Sequence, residues 1–371
     1  MKILYVVTNS DLGGAPRVVT ELSARAVRDG HICAVAASPG GPMWDGLDPR
    51  IEQIPVPSMR RAVDPAQDLK TFLFLRSLYL NYSPDIVHLH SSKAGAIGRL
   101  AAIASGGGLA KRCVYTIHGF DTILKTHRKY LPLERFLSKH SGVVVPVSSY
   151  DNRSVRESGL SGRIVLIHNG VTDRLGLPSP DAKAVQRLEA AKSRGRPVIL
   201  TIARLEAPKR PDLFLEVARR LPEASFFWVG NVGMPISTLP TGTIIPKNAE
   251  FLGESPEAGN LANLCEIFLL LSDYEGLPMS ILEAMSCGTS IVGSDVGGIA
   301  EALGVGAGKP KAGLLVPNEA DAVTAAIRSI LDNSASNKAM AQAARTRYLA
   351  EFSADRMWAA YENLYRTLIT A

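Results

Sequence analysis

The chain has 371 residues, 46% of them apolar and 20% charged, with a net charge of +6. That length exceeds what one compact core usually carries, so two domains are expected, and the composition excludes a disordered or fibrous chain. The mild basicity suits anionic ligands or an anionic membrane surface, whereas no dense Lys/Arg block with interleaved aromatics points to nucleic acid.

In chain order, KILYVVT (2–8) reads as a first strand. It lacks the long apolar region and small-residue cleavage site of an export signal, and no run of about 18 apolar residues follows anywhere, so a cytoplasmic chain without a membrane span is expected. A Gly-rich loop leads into APRVVTELSARAVRDG, where Val18, Val19, Leu22 and Ala26 recur at helical spacing and Gly30 closes the helix. HICAVAAS (31–38) is the next strand, a helix is expected over 67–82, and DIVHLH (85–90) is a strand. KAGAIGRLAAIAS (93–105) is a small-residue helix, followed by strands CVYTIH (113–118), GVVVPVS (142–148) and RIVLIHNG (163–170). Continuous apolar strands alternating with helices indicate a parallel sheet covered on both faces.

The pattern breaks in the polar, Pro- and Gly-punctuated segment 171–196, expected to be a linker between a domain at 1–170 and another at 197–352. The second domain starts over with strands at 196–204, 224–230, 249–253, 265–272, 289–294 and 312–317, and helices at 210–220 and 320–332. Two doubly wound α/β domains facing a cleft are expected, with ligands at the carboxyl ends of the strands. The last segment, 353–371, carries an amphipathic helix with Met357, Tyr361, Leu364, Tyr365 and Leu368 on its apolar stripe, able to close the second domain or to cross back onto the first. Cys33, Cys113, Cys265 and Cys287 are scattered and show no C-x-x-C spacing, which favours buried thiols in a reducing compartment.

The chemistry concentrates in SDYEGLPMSILEAMSCG (272–288). Glu275 lies at the end of an apolar strand, Pro278 suits the first position of the next helix, and Glu283 lies inside that helix. On one continuous helix the two acids would sit about 12 Å apart and about 80° off-face, so they suit two ends of one extended ligand better than an acid–base couple. The backbone N–H groups of Leu277, Met279 and Ser280 at that helix start form an anion site.

YEGLPMSILEAM resembles the E-x7-E motif of retaining glycosyltransferase family 4, of the bacterial capsule, O-antigen and exopolysaccharide type, whose members have the GT-B fold. ARLEAPKRPDLF (203–214) is similar to that family's diphosphate segment, DLGGAPRVV (11–19) to its glycine loop, TIHGFD (116–121) to its His segment and DVGGIAE (295–301) to its Gly-Gly segment, so the resemblance covers essentially the whole chain. It implies a transferase moving a hexose or N-acetylhexosamine from a nucleotide-sugar, with UDP the expected nucleotide, to a sugar hydroxyl of a glycan or polyprenyl-diphosphate-linked acceptor. Glu283 would hold the ribose diol. Glu275 would hold the donor sugar and face the oxocarbenium charge. Arg204 and Lys209 would neutralise the leaving diphosphate, with Gly13, Gly14, Gly276, Leu277, Pro278, Met279 and Ser280 lining the donor. His118 would contact the donor sugar or orient the acceptor. The D-x-D metal motif of the other major glycosyltransferase fold is absent, so metal independence and no cofactor are expected.

HLHSSKAGAIGRLAA (88–102) is the stretch closest to the polyprenyl-diphosphate subclass and places Ser91, Ser92 and Lys93 on the acceptor side, with Asn169 at the hinge. The basic segment 124–140, with Leu131, Leu133, Phe136 and Leu137 interleaved, suits either a solvated helix or one lying on the inner face of an anionic membrane. Alternatives are a GDP-mannose-dependent mannosyltransferase, a GT-B sugar-nucleotide epimerase and, from another class, a two-domain solute-binding protein.

Overall fold

The computed structural model describes residues 1–205, 207–230, 244–305 and 310–370. The chain divides into two compact units, Met1–Gly170 with Ala354–Ala371, and Val171–Ser353.

The first unit is built on six parallel strands, β1 (Lys2–Val7), β2 (Ile32–Ala37), β3 (Glu52–Pro55), β4 (Ile86–His90), β5 (Cys113–Ile117) and β6 (Val143–Pro146), in the order β3-β2-β1-β4-β5-β6. The central strands are sealed on both faces, which is why their sequences are unbroken apolar runs rather than alternating ones. The helices between and after these strands are α1 (Gly14–Arg28), α2 (Pro65–Tyr82), α3 (Ser92–Ser105), α4 (Asp121–Thr126), α5 (Leu131–His140) and α6 (Ser149–Glu157). Asp64 caps α2 by accepting from the Ala66 and Gln67 N–H groups, with Pro65 in the first turn. The small residues of α3 let it sit hard against the sheet: a Cβ on Gly95 would come within 2.3 Å of the Tyr115 ring, and one on Gly98 within 2.5 Å of Leu89.

One local expectation changes here, and one strand was not foreseen. Segment 163–170 is not a strand; it follows β6 with Val165 N–H donating to the Val144 carbonyl, but only Ile164 forms a bridge. Strand β3 escapes the apolar pattern because EQIP is an edge strand, half polar and ending in proline.

The second unit repeats the plan with β7 (Val198–Ile202), β8 (Ser225–Val229), β9 (Ala249–Gly253), β10 (Ile267–Leu270), β11 (Ser290–Ser294) and β12 (Gly313–Val316), ordered β12-β11-β10-β7-β8-β9. Residues 171–196 belong to this unit rather than standing apart as a linker: α7 (Ala182–Ser193) buries Ala184, Leu188 and Ala191, and its polar composition is simply its outer face. The remaining helices are α8 (Pro211–Arg220), α9 (Met279–Ser286), α10 (Ile299–Leu303), α11 (Ala320–Leu331) and α12 (Ser334–Arg347). The core of the unit gathers Phe214, Phe226, Trp228, Leu269 and Val292 around the sheet.

The C-terminal helix α13 (Ala354–Ile369) counts with the first unit. Its whole apolar stripe is buried, Tyr365 at 0% and Tyr361 at 1% exposure. Asp355 pairs with Arg25 and Arg28 of α1 at 2.9 Å, and the Trp358 indole donates to Asp29 at 2.6 Å.

Candidate functional site

In the second unit the strand order reverses between β7 and β10, and the loops after these two strands carry the predicted donor groups. Half-buried Arg204 follows β7 by two residues, and Lys209 follows in the same loop. That loop is zipped to the one after β10: Lys209 bridges Ser272, the Asp273 N–H donates to the Pro208 carbonyl at 3.0 Å, and the Arg210 N–H donates to the Leu271 carbonyl at 3.1 Å. Lys209 Nζ thereby meets Glu275 Oε1 in an ion pair, and the Ser272 hydroxyl donates to the same oxygen at 2.6 Å. A cation expected on the diphosphate and an anion expected on the sugar are therefore partners in this state. Both side chains are largely enclosed, at 15% and 11% exposure, so the pair is only weakly screened.

The Gly-Gly segment supports this loop from behind. Gly297 has φ +55°, and a Cβ there would fall 1.8 Å from the Glu275 carbonyl oxygen, while the Gly298 N–H donates to the Gly276 carbonyl at 2.8 Å. Only glycine satisfies both the left-handed backbone and the close approach. Helix α9 then starts at Met279 with Pro278 as the residue before it rather than its first, leaving the first-turn amides of Met279 and Ser280 without intrahelical acceptors. Gly276, Leu277, Pro278 and Met279 are buried and Ser280 is half-buried.

Glu283, one turn into α9, is 8% exposed. Its Oε1 lies 3.1 Å from the guanidinium of Arg174, a residue the sequence reading passed over. Arg174 is 2% exposed and also donates to Glu257 at 2.7 Å and Asn260 at 2.6 Å. Gly259 makes room for this cluster: a Cβ there would fall 2.8 Å from both Arg174 Nε and the Glu283 carboxyl carbon. A buried carboxylate needs such a partner to stay ionised. The eight-residue motif reveals Glu283, but nothing local to Arg174 marks it, because the pair is made between segments far apart in sequence.

In the first unit the order reverses between β1 and β4. Gly13 and Gly14 stand after β1 at the start of α1; Gly13 is extended, and a Cβ on it would meet only Pro16, at 4.0 Å. The smallness of Gly13 is therefore not demanded by the chain's own packing. Ser91, after β4, has φ +69° and ψ 151°, a region almost reserved for glycine, and its hydroxyl lies 2.6 Å from that of Thr8. Ser92 is exposed. Lys93, expected toward a phosphate, is instead bound at home: it pairs with Asp68 at 2.5 Å and donates to the Ala62 carbonyl. Asn169 is 3% exposed, in the irregular segment that leads to residue 170.

His118 follows β5 directly and is half-buried. Its Nε2 lies 3.0 Å from His90 Nδ1, and the two rings stack with centres 5.2 Å apart. Desolvation pushes its pKa down to about 4, and burial holds His88 and His90 well below the ordinary histidine value, so all three rings are neutral near pH 7. Below them His88 bonds the Tyr365 hydroxyl at 2.6 Å and the Thr116 hydroxyl at 2.7 Å.

The basic segment 124–140 divides into α4, a short turn and α5. Leu131 and Leu137 face the core, at 7% and 0% exposure, so of the interleaved apolar residues only Phe136 is exposed. Among the described residues no group of three or more His, Cys, Asp or Glu is arranged to hold a metal ion, and no helix is long and apolar enough to cross a membrane.

Two family models together account for most of the chain: Glycosyltransferase Family 4 matches residues 12–174, and Glycosyl transferases group 1 matches residues 183–347. The chain is similar to an Escherichia coli UDP-Gal:alpha-D-GlcNAc-diphosphoundecaprenol alpha-1,3-galactosyltransferase, 28% identical over 80% of each chain. It is also similar to the Escherichia coli O-antigen biosynthesis glycosyltransferase WbnH, 27% identical over 89% of this chain and 90% of that one. Among solved structures, Anabaena HepE in complex with UDP-glucose superposes with a TM-score of 0.81 at 18% identity, covering 99% of this chain and 100% of that one, which shows the shared GT-B fold.

Proposed function

The chain belongs to the family 4 glycosyltransferases of GT-B fold and the O-antigen and surface-polysaccharide type, and from that premise we propose that it moves a hexose or N-acetylhexosamine from a UDP-sugar, with retention and without a metal, onto a sugar hydroxyl of a polyprenyl-diphosphate-linked acceptor. The observation that carries the reading is the pairing of Lys209 with Glu275 at the β7/β10 switch, beside a buried Glu283 paired with Arg174. Glu283 accepts from the ribose diol. Lys209 exchanges Glu275 for the diphosphate when donor binds, which frees Glu275 to face the sugar. Arg204, Lys209 and the first-turn amides of α9 then take up the charge that grows on the leaving diphosphate as the C1–O bond breaks. His118 presents a hydrogen-bond donor to a sugar substrate. The acceptor oxygen attacks C1 on the face the diphosphate leaves, and its proton passes to the departing phosphate oxygen.

A lipid-linked acceptor also calls for a surface that meets the bilayer. Helix α2 supports this better than 124–140 does: Leu69, Leu73 and Leu80 are 58%, 55% and 49% exposed on one side, with exposed Lys70 and Arg76 between them. The test of the function is transfer of radiolabelled sugar from UDP-galactose, UDP-N-acetylgalactosamine, UDP-glucose and GDP-mannose to a polyprenyl-diphosphate-N-acetylhexosamine acceptor in EDTA. Acceptor-dependent product from a UDP-sugar supports the reading. Product only from GDP-mannose, or only with added Mn2+, refutes the nucleotide or the metal-free assignment, and a free epimerised sugar-nucleotide refutes transfer.

A further inference from the structure

We propose that His90 is a positioning residue: it holds the neutral His118 ring in the tautomer whose proton is on Nδ1, so that the edge of His118 not turned to His90 presents an N–H donor. The inference rests on the reading of His118 as a substrate contact, and it starts from a proton count. One hydrogen joins His90 Nδ1 and His118 Nε2 across 3.0 Å, so one of the two nitrogens carries it and the other accepts. His90 is 0% exposed, and its Nε2 is buried without a partner among the described residues.

If His118 were the donor, a neutral His90 would carry its own proton on Nε2, and a sealed N–H would go unmet. If His90 is the donor, Nε2 is left as a bare lone pair. Orphaned buried N–H groups are the rarer and costlier of the two. The surroundings agree. Tyr5 packs its ring 6.4 Å, centre to centre, from that of His90, and no described group accepts a proton from His90 Nε2. Both imidazoles are kept neutral by burial, which leaves each with one proton to place.

The layer beneath fixes His90 itself. Its ring lies 4.0 Å, centre to centre, from that of His88, and His88 is tethered at both nitrogens by Tyr365 and Thr116. Thr116 in turn bonds the Tyr361 hydroxyl at 2.8 Å. With His118 Nε2 committed to His90, Nδ1 is the ring nitrogen left for a ligand.

Long-range 1H–15N correlation spectra of the full chain labelled in histidine test this directly. The wild-type protein is expected to show a pyrrole-type Nδ1 and a pyridine-type Nε2 for His118, assigned by loss of its signals in His118→Asn. Leucine in place of His90 is expected to release His118 toward the Nε2–H form that free imidazole side chains prefer. His90→Asn, whose amide N–H can reach the same acceptor, is expected to restore Nδ1–H. Sugar transfer should follow: kcat down about tenfold in His90→Leu, the worth of roughly one hydrogen bond, with donor KM changed less, and recovery in His90→Asn. A wild-type His118 protonated on Nε2 overturns the proposal whether or not the variants fold. A chain that transfers no sugar overturns the functional reading instead, and the tautomer spectrum separates the two failures.

Discussion

Glu275 and Glu283 stand eight residues apart and answer to different cations, Lys209 and Arg174. That division of labour argues against an acid–base couple and predicts different phenotypes. Glu283→Ala and Arg174→Met should each weaken nucleotide binding, by about 1–3 kcal/mol for a charged hydrogen bond lost, and the penalty of Arg174→Met should shrink for a 2′,3′-dideoxy nucleotide. Calorimetry on the four combinations checks this, and equal losses for both nucleotides would separate Arg174 from the ribose. Glu275→Ala should leave UDP affinity nearly intact while lowering turnover by roughly 100-fold or more, as removal of a preorganised charge does elsewhere; steady-state kinetics with a separate binding titration tells the two apart. The histidines add a pH prediction. The unfolded chain takes up protons as pH falls through 6.5, whereas folded His118 resists protonation down to about 4. Stability from this ring is therefore constant above 6.5 and declines between 6.5 and about 4, at up to about 1.4 kcal/mol per pH unit. Urea unfolding across that window should show a shallower acid slope in His118→Asn than in wild type, and an unchanged slope would contradict the assignment. Residues tied to a local motif, such as Glu275, Glu283 and His118, were legible in the sequence. Arg174 and His90 were not, because what they do depends on neighbours that only the folded chain supplies, and the pairing of Lys93 with Asp68 was hidden for the same reason.

Strands and helices were legible where burial imposes a period. The central strands of both sheets stand where continuous apolar runs placed them, since a parallel strand covered on both faces has no polar alternative. Elements at the rim were harder: β3 is an edge strand, 163–170 is extended but pairs too briefly to be a strand, and α7 hides among polar residues because only three of its side chains are buried. Helix α2 is the instructive opposite case, with leucines on both its inner and outer faces, so its periodicity is blurred while its outer stripe stays exposed. Leu69→Glu with Leu73→Glu should abolish sedimentation with phosphatidylglycerol vesicles and leave transfer to a short-chain soluble acceptor intact; full vesicle binding by that variant would remove α2 from the interface. Helix α13 closes the first unit, with Tyr365 buried against His88. Tyr365→Ala should destabilise by about 3–5 kcal/mol, as deletion of a buried aromatic ring does. Tyr365→Phe, which removes only the hydroxyl, should cost about 1–2 kcal/mol. Denaturant midpoints for the pair distinguish the packing contribution from the hydrogen bond.

At the scale of the molecule, two six-stranded parallel sheets each carry their functional loops at the point where strand order reverses. The repeat of strand–helix pattern after residue 196 announced the second sheet, and the family motifs announced the GT-B plan before any geometry was known. Which sugar and which acceptor are used rests on loop side chains that follow no period. The proposed function requires the loops after β7 and β10, with α9, to form a nucleotide-diphosphate site complete in its own charges. The measurement that tests it most directly is isothermal titration of the intact protein in EDTA with UDP, GDP and ADP, repeated with Lys209→Met. Selective binding of UDP without metal, weakened in the Lys209 variant, is the expected result. No binding of any nucleotide, or binding indifferent to Lys209, would contradict it.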